Sequence, residues 1–220
     1  MSMSRLAGVC AVVSGLLAAS AAASQPPRPA RDVAKMPLIE MQLIEIGNGP
    51  NVIDIDGRNG LVFQAHRENY NAHSFDTVTF YRQEEGGANP SMNSDKPVWI
   101  VVPFLAKDGT EKDSLQTVQG ADCRLRDWVV LRQRGDARAP LTVVVANREF
   151  GDTYVDKKPV TFSVYQLARN QGELPGSPDV HFSLVDQFQS KRTYCDVDVA
   201  IRRELGVKLK SGLESNAVDD

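Results

Sequence analysis

The sequence predicts an all-β fold: an antiparallel β-sandwich forming a single domain. Short runs rich in Val, Ile, Phe, Thr and Tyr recur along the chain, and clusters of Gly, Asp, Asn and Pro separate them. The run that begins at Cys123 alternates with period two, as a half-buried strand does. The domain is expected over residues 36–210, between a linker at 25–35 and a disordered tail at 211–220.

The chain opens as an exported protein would. Arg5 precedes an apolar stretch from Leu6 to Ala19, and Ala21-Ala22-Ala23-Ser24 supplies small residues for cleavage. That is the layout of a secretory signal over residues 1–24, and about 14 apolar residues are too few to cross a bilayer. Cys10 is a poor lipidation site, because Val9 precedes it and the apolar run continues beyond it. The expected destination is the periplasm or the exterior, with no membrane insertion once the signal is removed. Three prolines and two arginines between Gln25 and Ala34 have little to bury and make a solvated linker.

The elements follow in order. Met36 to Ile46 holds a long apolar run whose Pro37 and spacing fit a first strand at least as well as a helix. The turn Asp56-Gly57-Arg58-Asn59-Gly60 leads into a strand at Leu61 to Ala65, and Thr77 to Tyr81 follows after a polar connector. Beyond Glu85-Gly86-Gly87 comes Val98 to Leu105, ended by Asp108-Gly109. In the next strand Cys123, Leu125, Asp127, Val129 and Leu131 share the inward side. Arg124, Arg126, Trp128, Val130 and Arg132 share the other, so the arginines read as a solvated face. Strands at Leu141 to Ala146, Val160 to Leu167 and Val180 to Phe188 complete the set. Val199 to Lys210 fits a helix or a strand continuing from Cys195 equally well.

Composition excludes some functions. The chain carries 25 basic and 28 acidic residues, a net charge of −3, and loss of residues 1–24 would remove Arg5 and no acid. A mildly acidic chain without a basic stripe lacks the electrostatic footprint of a nucleic-acid binder. Cys123 and Cys195 are the cysteines outside the signal, and in an oxidising compartment such a pair predicts a disulfide.

Recognised catalytic signatures are missing. Asp54-Ile55-Asp56-Gly57 resembles the start of a calcium loop, but Arg58 stands where a third acid belongs and no acid follows until Glu68. A polar turn is the better reading. His66, His73 and Asp76 lack the short spacings of zinc hydrolases, so no metal and no cofactor is expected. The G-x-S-x-G and S-x-x-K motifs are absent beyond the signal, and the disulfide removes a free thiol. A hydrolase without a recognised motif, using His73 with Asp76, stays as a minor alternative.

The Leu61–Arg82 segment is the richest in hydrogen-bonding groups. Arg67, Asn69, Tyr70, Asn71 and His73 could together hold a small anionic, amide-bearing ligand. Arg67 or a protonated histidine would take a carboxylate, an asparagine a carbonyl, and Tyr70 an apolar face. The plainer alternative is that Asn69 and Asn71 fold the turn while the aromatics pack.

This segment, R-E-N-Y-N-A-H-S-F-D-x-x-T-F-Y from Arg67 to Tyr81, with V-I-D-I-D-G and L-V-F ahead of it, resembles the carbapenem intrinsic-resistance proteins. The likeness covers about 30 residues closely and the rest by pattern. It implies an exported β-sandwich that protects a cell from a carbapenem without hydrolysing it, by binding the β-lactam or by shielding its target. It supplies no list of active-site residues. The implied partners are the carbapenem itself or an envelope protein, and the alternative is an envelope interaction or scaffold module.

Overall fold

A computed structural model describes residues 41–85, 96–170 and 178–207. The expected signal, linker and C-terminal tail lie outside these residues. Within them the chain forms β1 (Met41–Ile44), β2 (Gly49–Ile55), β3 (Arg58–Arg67), β4 (Phe75–Glu84), β5 (Val98–Val101), β6 (Phe104–Leu105), β7 (Glu111–Lys112), β8 (Ser114–Gln116), β9 (Val118–Gln119), β10 (Arg124–Gln133), β11 (Thr142–Arg148), β12 (Lys158–Arg169), β13 (Val180–Tyr194) and helix α1 (Val197–Leu205). An eight-stranded sheet runs β1-β10-β11-β12-β13-β6-β7, with β9 also on β10. A five-stranded sheet runs β2-β3-β4-β5, with β8 also on β4. The expected all-β sandwich is what forms. Its pairs are antiparallel except β13 with β6, which run parallel.

The strand expected from Val98 to Leu105 is two strands in two different sheets. Pro103 has no N–H to give a ladder, and the chain crosses over there. β5 pairs with β4 in the smaller sheet, while β6 pairs with β13 in the larger. Val102 and Phe104 are buried at the crossing, where the Phe104 ring stacks on Phe182 at 4.7 Å. Between the sheets lies a core of Ile55, Val62, Val78 and Phe80 from one side and Val130, Val143, Val145 and Phe182 from the other.

The open question at Val199 to Lys210 resolves as a helix starting slightly earlier, with Lys208 to Lys210 outside the described residues. Asp196 caps it by accepting from Asp198 N at 2.7 Å, and Gly206 ends it in the left-handed region at φ 67°. Val197, Ala200, Ile201 and Leu205 pack on Val129, Leu131, Val144 and Phe162, so the larger sheet is covered on both faces.

That second cover corrects the reading of β10. Trp128 and Val130, placed on the solvated side, face the inter-sheet core, and Val129 and Leu131 face the helix. The arginines are only partly exposed and are partnered. Arg124 meets Asp127 at 2.6 Å, Arg126 donates to Asn147 at 2.9 Å, and Arg132 donates to the carbonyls of Asp54 and, at 2.7 Å, Ala137.

The turn at Asp56-Gly57 is a two-residue hairpin with both residues at positive φ, 58° and 74°, the geometry an Asp-Gly pair favours. Asp54 accepts from Gly57 N at 3.1 Å. The Asp56 carboxylate faces Arg82 at 3.1 Å and Arg169 at 2.6 Å, so both acids serve the turn and the packing beneath it. Arg82, with 1 % of its surface exposed, also pairs with Glu84 and with Asp179 at 2.7 Å, and Arg58 pairs with Glu84. These charges join β2–β4 to the strand ends of the larger sheet at one end of the sandwich. Cys123 and Cys195 form the expected disulfide, with Cα atoms 5.8 Å apart, joining the start of β10 to the entry of α1.

Candidate functional site

Between β3 and β4, residues Glu68 to Ser74 form a connector whose polar groups bind mainly one another. Ser74 is buried; its hydroxyl donates to Glu68 at 2.6 Å and accepts from Asn69 N at 3.1 Å. Asn69 Nδ2 donates to the His73 carbonyl at 2.9 Å, Asn71 Oδ1 accepts from His73 N at 2.8 Å, and Glu68 accepts from Tyr70 N at 2.6 Å. Asn69 and Asn71 are therefore turn builders, as the plainer reading had it. These bonds hold the Glu68 carboxyl below its usual pKa, chiefly through Ser74.

The strand alternation then divides the expected ligand residues. Arg67 lies opposite Phe75 on the outer face of the smaller sheet, with its Nε 3.3 Å from Asn69 Oδ1. His66, one residue earlier, lies on the inner face, where Nδ1 meets Asp76 at 2.8 Å and Nε2 lies 3.6 Å from Glu68. The Asp76 bond raises the His66 pKa, with burial opposing it. Tyr70 sits at φ 56° with its ring in solvent, 93 % exposed. His73 leaves the connector, its Nδ1 3.1 Å from the Gln119 carbonyl and its ring 5.2 Å from Tyr154. The proposed hydrolytic pair of His73 with Asp76 does not form, because Asp76 pairs with His66.

Beneath the connector a groove of about 1100 Å³ opens between the sheets. Its walls carry Gln64, His66, Asn71, Asp76 and Thr117 on one side and Glu45, Asp122, Arg124, Asp127, Trp128, Asp196, Asp198 and Arg202 on the other. Of the five expected residues, Asn71 alone lines it. Acids outnumber bases on its walls.

A second charge cluster, on the wall of the groove, lies where α1 meets β10. Arg124 Nη1 reaches Asp127 at 2.6 Å and Asp198 at 3.4 Å, and its backbone N–H donates to Asp196 at 3.1 Å. Asp198 Oδ1 is buried. Burial, then the charge of Asp127 and a hydrogen bond to its carboxyl, push the Asp198 pKa up to about 8 against the opposing pull of Arg124. Of the carboxyls around Arg124, Asp198 is the one whose charge its surroundings oppose most. Burial works against the Arg124 cation, but the two aspartates more than offset it and its pKa is raised. Sequence reading placed Asp127 on an inward side without finding its partner, and the acids around Cys195 were the signal for the rest.

Among the described residues, no group of three His, Cys, Asp or Glu is arranged to hold a metal ion. The groove suits hydrogen-bond donors and cations better than a carboxylate.

The family described as carbapenem resistance protein CarG-like matches residues 46–203. A solved structure, the crystal structure of CarG, superposes with a TM-score of 0.55 at 18% identity, covering 74% of this chain and 94% of that one. At that identity the likeness concerns the fold. No curated protein matches the chain by sequence.

Proposed function

Since the chain belongs to the CarG-like carbapenem resistance family, we propose that it protects its cell from a carbapenem by shielding the drug's target, from an exported position, without hydrolysing the drug. The observation that carries the choice of shielding over capture is the use of the connector's polar groups. Asn69, Asn71, Glu68 and Ser74 already hydrogen-bond within the connector, and Arg67 and His66 point to opposite faces. A carboxylate-bearing drug meets no convergent cationic cradle there, and in the groove it meets Asp76, Asp122, Asp127 and Asp196. Export is supported by the secretory layout of residues 1–24 and by the Cys123–Cys195 disulfide.

Deleting the gene is expected to raise carbapenem susceptibility more than susceptibility to an unrelated β-lactam. Titrating a carbapenem into the purified protein is expected to give no saturable heat at millimolar drug and no protein-dependent loss of drug absorbance. Saturable heat that Arg67→Ala or His73→Ala weakens would replace shielding with capture by the connector. Absorbance loss proportional to protein would make it a hydrolase.

A further inference from the structure

The outer face of the smaller sheet carries a row of apolar side chains without a charge. Register aligns Val52, Leu61, Tyr81 and Val101 across β2, β3, β4 and β5, with Phe63 beside Leu61 and Trp99 beside Val101. Val52 is 79 % exposed, Phe63 43 %, Trp99 45 % and Val101 37 %. The same alternation that buries Val62, Val78 and Phe80 sets this apolar row on the opposite side of the sheet, between Thr77 and Thr79 on one flank and Asn59 and Gln83 on the other.

Neither edge of the sheet invites an added strand. β2 starts at Gly49-Pro50, and Pro50 has no N–H to offer. The Asn51 side chain folds back onto the carbonyls of Gly47 at 2.8 Å and Gly49 at 3.0 Å. The other edge is divided between β5 and β8, which pair with different stretches of β4. A partner is left the face.

We propose that two copies of this chain associate through this face in solution. The row is self-complementary. A two-fold axis along the strands sets Val52 against Val101 of the other copy and Leu61 against its Tyr81, apolar on apolar, with the sheets about 10 Å apart. An uncharged row selects no oppositely charged partner. Four strands about 4.8 Å apart and three rows about 7 Å apart, the flanking rows adding a polar rim of Thr79, Asn59, Gln83 and Asp54, cover roughly 20 Å by 15 Å, or on the order of 500 Å² of accessible surface per copy. That is about 1,000 Å² in total, the lower bound for a specific interface, so the dimer forms at roughly micromolar concentration. The groove lies on the other side of β3 and stays open.

Sedimentation velocity on the purified chain, from about 1 μM to several hundred μM, reads the association directly. The expected result is a shift from monomer to twice the monomer mass as concentration rises. Val52→Asp is expected to weaken the dimer at least tenfold while leaving circular dichroism and melting unchanged, since Val52 is mostly exposed. Mixing Val52→Asp with Val101→Lys is expected to restore the heavier species, because the axis places these positions opposite each other. A monomer mass throughout the range would overturn the proposal, as would a dimer that Val52→Asp leaves intact. A monomer whose face holds a different protein would overturn it too.

Discussion

The substitution Asp198→Asn should remove a specific part of the protein's pH dependence. The Asp198 carboxyl titrates at 3.8 in the unfolded chain and at about 8 in the folded one, where burial and Asp127 oppose its charge. Between those values the folded state holds a proton that the unfolded state has released, so stability falls as pH rises. The slope is about 1.4 kcal/mol per pH unit, and the whole window would amount to roughly 6 kcal/mol. A quarter of the side chain reaches solvent and Arg124 is adjacent, so about 2 kcal/mol is the working figure. The loss is complete once pH passes the folded value. The carboxamide of the variant would keep the shape, donate to Asp127 and not ionise. Urea unfolding at about pH 3.5, 7 and 9 should show the two proteins within about 0.5 kcal/mol at the acid end, below the unfolded pKa. At pH 9 the variant should be the more stable by about 2 kcal/mol, near 1 M in urea midpoint. Carboxyls held low, such as Glu68 and Asp156, give the opposite trend at acid pH, but equally in both proteins. Parallel stability curves from about pH 3.5 to 9 would refute the raised Asp198 pKa.

Two further outcomes follow from the packing. Arg82→Met leaves Asp56, Glu84 and Asp179 facing one another without their buried cation and should cost about 3 kcal/mol of unfolding free energy, read by chemical denaturation; a loss below about 0.5 kcal/mol would show that water already screens the cluster. The paired replacement Cys123→Ser with Cys195→Ser frees a loop of 72 residues and should lower stability by up to about 4 kcal/mol, and reductant should then have no effect on the variant while lowering the melting temperature of the parent.

Much of the fold was legible because its causes are local. Alternation at Thr77 to Tyr81 and Leu141 to Ala146 specifies which side chains share a face, and Asp56-Gly57 specifies a hairpin whatever surrounds it. The Cys123–Cys195 pairing followed from there being two cysteines to join beyond residues 1–24. The candidate site was legible in composition but not in arrangement. The segment from Arg67 to His73 is rich in donors and acceptors, yet a period of two sends His66 and Arg67 to opposite faces, and the turn itself uses Asn69 and Asn71.

Sequence alone determined the class of fold, most of the strands, the disulfide and the family likeness, since each depends on neighbouring residues or on a small set of possible partners. Only the tertiary structure decided what covers each face. α1 settling on the larger sheet turned both sides of β10 inward, and Pro103 carried the chain from one sheet to the other. The same docking brought Asp198 to Asp127 and Arg124, raising a carboxyl pKa that no local pattern encodes. Solvation depends on the groups that fill the space around a residue, and those come from distant parts of the chain.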